Sequence, residues 1–75
     1  MKFYSIRDRK ILKNASLTSL DKVIYEKCSS SGMNISRLIK AGKPYWTGSS
    51  KHFATTEEVI SSVTKLQKLG LLEGR

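Results

Sequence analysis

Seventy-five residues and 8.4 kDa make one domain at most, and a chain this short buries only about 60% of the surface its unfolded form exposes. Fourteen Lys+Arg against six Asp+Glu give a net charge of +8 and a pI near 9.9. That size argues against most enzyme folds, whose pockets need walls deep enough to exclude water, and that charge points to a polyanion such as DNA, RNA or an anionic surface.

One cysteine, Cys28, excludes an internal disulfide and with it a stapled secreted mini-protein. The start has no apolar run long enough for a signal-peptide core, and nothing approaches the ~18 apolar residues of a membrane span. The expected location is cytoplasmic, or nucleoid-associated if DNA is the partner, with no membrane role.

Residues 1–14 form a basic arm or short strand carrying Lys2, Arg7, Arg9, Lys10 and Lys13 against a lone Asp8. From Leu17 the period becomes helical, with Leu20, Val23, Ile24 and Cys28 on one face. Thr18 and Asp21 have the outline of a capping box, which predicts a first helix near 17–29 with a stop at Gly32. Asn34 caps a shorter helix over 35–41 with Ile35, Leu38 and Ile39, and Gly42 and Pro44 end it. Residues 43–54 have no helical period and carry Tyr45, Trp46 and Phe53. Such a connection either folds onto the core or forms a contact surface.

The third helix, 56–69, has the strongest signals. Thr55 and Glu58 form a capping box, and Glu57 and Glu58 sit where the helix dipole favours anions. Ile60, Val63, Leu66 and Leu69 make an apolar stripe with Val59 beside it, and Gly70 is the C-terminal cap. The expected fold is mainly α: one domain over 1–75 with a three-helix core at 17–73. A minor β pairing is expected at most, between residues 2–6 and 71–73.

The stretch 59–73 resembles the third helix and first wing strand of winged helix-turn-helix domains. It places Ile60, Val63 and Leu66 along the helix, then Gly70, an apolar pair at Leu71 and Leu72, and the acid Glu73. The likeness, over residues 55–73, implies a winged-helix-like core and a DNA-binding, transcription-regulatory role. Residues 32–39 bear a lesser resemblance to the turn and second-helix start of ribbon-helix-helix proteins.

No catalytic constellation is present. His52 is the single histidine, with no acid beside it in sequence, and one His with one Cys do not make a metal site. Neither metal nor cofactor is expected. The glycines have no phosphate-loop spacing.

The local basic excess carries the functional expectation. Cations interleaved with aromatics are the composition that holds phosphates and stacks bases. Phosphate contacts are expected from Arg7, Arg9, Lys10, Arg37, Lys40, Lys43 and Lys51. On the winged-helix resemblance, Ser61, Ser62 and Lys65 of the third helix add whatever base contact exists. The expected function is therefore a small non-enzymatic DNA-binding regulator. A homodimer is expected, because one such module makes a small footprint. The alternative is a small inhibitor or adaptor, of phage or mobile-element type, docking on an acidic protein partner.

Overall fold

The computed structural model describes every residue except Ser30. Its elements run β1 (Phe3–Ser5), α1 (Arg9–Asn14), α2 (Ser19–Lys27), α3 (Ile35–Gly42), β2 (Pro44–Thr47), β3 (Ser50–Phe53), α4 (Thr56–Lys68) and β4 (Leu72–Gly74). Helices dominate, and α2, α3 and α4 each pack against the other two. The expected three-helix domain is corrected in two respects. A fourth helix, α1, occupies part of the basic arm, and residues 43–54 form a β-hairpin.

Helix α1 starts where Asp8 accepts hydrogen bonds from the backbone N–H of Lys10 and Ile11, at 3.0 and 3.3 Å. It has no buried residue, so it is held by its cap and by Ile11 and Leu12, which pack against the edge of the core. Helix α2 carries the Thr18–Asp21 capping box and α4 the Thr55–Glu58 box, while Asn34 caps α3 by accepting from Arg37 N–H. Gly32 lies beyond the end of α2, which closes at Cys28, and packs under the Tyr4 ring.

Ile24, Leu38, Val59, Leu66 and Leu71 are fully buried at the centre. Cys28 is buried with them, and burial pushes its thiol up to about 11; it behaves as a small hydrophobe. Gly42 is the last residue of α3. Its role is close packing, because a Cβ there would lie 2.7 Å from Val59 Cγ2. After α4 the Gly70 N–H donates to Gln67 at 3.0 Å and the Leu71 N–H to Leu66 at 2.9 Å. These paired bonds close the helix and turn the chain inward, burying Leu71 and Leu72.

β4 then pairs antiparallel with β1, Tyr4 opposite Glu73, as the minor pairing between residues 2–6 and 71–73 requires. On its other side β1 exchanges two hydrogen bonds with Met33. Ser5 Oγ donates to the Tyr25 carbonyl, and Tyr25 Oη donates to the Ile6 carbonyl at 2.9 Å. These bonds tie the strand to the end of α2 and fix where the basic residues after Ile6 emerge.

Helix α4 lies rotated from its expected phase. Val59, Ser62, Val63 and Leu66 face inward, whereas Ile60 is 43% exposed. The rotation sets Ser62 against a buried carboxylate on α2: Asp21 is 3% exposed and accepts from Ser62 Oγ at 2.5 Å. Lys65 Nζ donates to the same carboxylate at 2.7 Å and to the Ser16 carbonyl at 2.8 Å.

Candidate nucleic-acid interface

The hairpin turns at Gly48–Ser49, and Gly48 takes φ +62°, which glycine adopts without a Cβ clash. A backbone bond from Ala54 N–H to the Lys43 carbonyl, 2.9 Å, closes its base. Strand alternation sends its side chains to two faces. One carries Tyr45, Thr47 and His52. There the Tyr45 and His52 rings stack with centroids 5.3 Å apart, Thr47 Oγ1 shares a 2.7 Å hydrogen bond with His52 Nε2, and Tyr45 packs against the core. The other face carries Pro44, Trp46, Lys51 and Phe53 and is open to solvent.

On that open face Trp46 is 59% exposed and Phe53 75% exposed. Lys51 stands between them, its ammonium 5.9 Å from the Trp46 ring centroid and 5.2 Å from that of Phe53. Both distances suit cation–π attraction, which holds the two rings and the charge as one surface. Trp46 is thus exposed and not part of the core.

A depression of about 490 Å³ runs between the β2 edge of this hairpin and α2, lined by Lys22, Val23, Glu26 and Lys27 on one wall and by Pro44, Tyr45 and Trp46 on the other, with Ala41 among its residues. A second, of about 500 Å³, lies between α2 and the segment after β1, bounded by Arg7, Arg9 and Tyr25. Lys22 and Glu26 line both. The two adjoin at Lys22 and Glu26, one turn apart on α2, and together make a grooved surface from Arg7 and Arg9 over α2 to the hairpin aromatics.

Electrostatically the groove is positive. Only two ion pairs form among the described residues, Lys65 with Asp21 and Arg75 with Glu73, so Arg7, Arg9, Lys22 and Lys27 project into solvent unpaired. Most acids are engaged elsewhere: Asp8, Asp21 and Glu58 cap helices, and Glu73 holds Arg75. Glu26 is the one acid that lines the groove.

The structure divides the residues expected from sequence into three groups. Arg7 and Arg9 reach the groove, and Lys51 lies on the hairpin surface that continues it. Lys43 is exposed at the hairpin base, and Arg37 and Lys40 are exposed on α3, with Arg37 one turn before Ala41 on the same side. Lys10 instead borders a separate depression beside Asn14 and Leu69.

The residues expected on α4 are the ones most altered. Ser61 is exposed, but Ser62 is 4% exposed and committed to Asp21, and Lys65 is ion-paired and half-buried. The outer face of α4 begins with Glu57 and Glu58, which repel phosphate. Lys22 and Lys27 are absent from the set that sequence alone suggests. For Lys22 the available signal is the helical spacing itself, since positions 22 and 26 fall opposite the stripe of Leu20, Ile24 and Cys28. Lys27, seven residues after Leu20, falls on the stripe and is exposed at the last turn of α2.

Among the described residues no group of His, Cys, Asp and Glu is placed to hold a metal ion, and no helix is long and apolar enough to cross a membrane. Compared with protein-family models, with curated proteins and with solved structures, the chain matches none.

Proposed function

We propose that the chain is a small, non-enzymatic DNA-binding protein that holds phosphates along the groove between residues 7–9, α2 and the β2–β3 hairpin. The observation that carries this is the gathering of unpaired Arg7, Arg9, Lys22 and Lys27 on two adjoining depressions beside α2, one of which reaches an exposed tryptophan. Cations without internal partners lose no ion pair when they meet a phosphate. Each such meeting then releases a condensed counterion, which supplies affinity without reading sequence. Helix α4, acidic at its start and with Ser62 and Lys65 engaged internally, is a support for α2 in this account and not the element that meets the bases.

Salt dependence tests it. Replacing Arg7, Arg9, Lys22 and Lys27 together by glutamine should lower the log–log salt slope of duplex binding by about 0.9 for each phosphate no longer neutralised, roughly 3–4 in all. The melting transition should stay in place, since all four side chains are exposed. Glu26→Gln should tighten binding severalfold by removing the one repulsive charge. An unchanged slope in the quadruple variant would remove the groove as the phosphate site.

A further inference from the structure

Resting on the DNA-binding function proposed above and deepening it, we infer that the groove and hairpin take an unpaired nucleic-acid strand, with a base stacked on Trp46. Two features of the surface separate an unpaired strand from a duplex. Trp46 both lines the positive groove and forms one edge of the exposed Trp46–Lys51–Phe53 surface. A strand whose phosphates pass from Arg7 and Arg9 over α2 to Lys22 and Lys27 reaches the exposed Trp46 ring, with Phe53 beyond it across Lys51.

Ring faces bind base faces, and those faces are free only where bases are unpaired; in a duplex they are covered by their neighbours. A positive groove that tracks the backbone, joined to exposed aromatics, is the pairing of features by which single strands are held without sequence preference. An acidic protein surface would satisfy the cations equally well, but it carries no bases for the rings. The exposure of Trp46 and Phe53 at the end of the groove favours the strand.

Trp46 is the chain's single tryptophan, so tryptophan fluorescence reports on this position alone. The full chain is titrated with an oligothymidylate of about a dozen nucleotides, within the ~4–16 range of single-strand modules. Parallel titrations use an oligouridylate of equal length, a duplex of equal length, and polyglutamate as a polyanion without bases. The expected result is saturable quenching by both single strands, at lower concentration than any response to the duplex. Oligothymidylate bound at least as tightly as oligouridylate supports DNA as the partner, whereas a clear preference for oligouridylate would keep the strand inference and overturn the DNA-binding function.

Trp46→Ala should weaken single-strand binding about ten- to a hundredfold, followed by anisotropy of a labelled oligonucleotide. Trp46→Phe should restore most of the loss, and both variants should melt like the parent, because the ring is outside the core. Duplex bound as tightly as the single strands, with Trp46→Ala silent, would overturn the strand inference and leave the DNA-binding function standing. Polyglutamate bound as tightly as any nucleic acid, or no binding to any nucleic acid, would overturn both.

Discussion

Truncating Leu66 to alanine should leave the domain largely unfolded at room temperature. Leu66 is fully buried at the meeting of α4 with the rest of the core, and its carbonyl accepts the Leu71 N–H bond that turns the chain into β4. Removing a buried leucine side chain costs about 2–5 kcal/mol, the higher values applying where the surroundings cannot collapse into the cavity. Here collapse is restricted, since Gly42 already brings α3 into close contact with Val59. In a 75-residue domain total stability is on the order of a few kcal/mol, so the loss is comparable to the whole. Thermal and urea unfolding followed by far-ultraviolet circular dichroism check it. A melt like that of the parent would show that the α4 stripe is not the core.

The second large effect is expected at Asp21. Burial pushes its carboxyl up, but hydrogen bonds from Lys65, Ser62 and Thr18 outweigh burial and hold it below its ordinary value. Asp21→Ala strands the Ser62 hydroxyl without an acceptor and breaks the α2 capping box, a loss of about 2–4 kcal/mol. Replacing Ser62 by alanine in that background should return part of the loss, and a double-mutant cycle measures how much.

The sign of the pH dependence follows from the depressed carboxyl. Its ionised form contributes stability above the unfolded-state value of about 3.9, and that contribution disappears as pH falls through the lower folded-state value. Asp21→Asn should therefore be less stable than the parent near neutral pH and converge with it in acid. A stability gap of constant size down to the acid limb would mean that the ionised carboxylate is not what matters there.

The same carboxylate explains much of what sequence can and cannot foretell. Local signals are sound where the deciding interactions are local. Thr18, Asn34 and Thr55 cap the helices they announce, Gly70 ends α4, and Leu72 returns beside Ser5 in the short β pairing. The phase of α4 is not legible. Val59 and Ile60 are adjacent apolar residues, and either could flank the stripe. What decides between them is Asp21, 41 positions from Ser62 in the chain, whose need for hydrogen-bond donors turns Ser62 inward and Ile60 out.

The hairpin escapes a sequence reading for a different reason. Its strands have no buried side to produce an apolar alternation: β3 is exposed throughout and β2 half-buried at two positions. The Gly48–Ser49 pair between two runs of four is a two-residue turn signal, weak without that alternation. Helix α1 has a cap in Asp8 but too few residues for a period to emerge. The basic residues are visible as a composition, whereas their gathering into one groove depends on tertiary bonds, chiefly those that tie Ser5 and Ile6 to Tyr25.

The measurement that tests the central claim most directly is an amide chemical-shift map of the isotopically labelled chain, titrated with a single-stranded oligonucleotide at low salt. The groove and hairpin predict that perturbations gather on Arg7, Arg9, Lys22, Lys27 and Lys51 and on the indole N–H of Trp46. The outer face of α4 should stay unperturbed at Glu57, Ser61, Thr64 and Lys68. Perturbations centred on those α4 positions, with Trp46 and the α2 lysines silent, would contradict the account and return the binding surface to the third-helix position of a winged-helix domain.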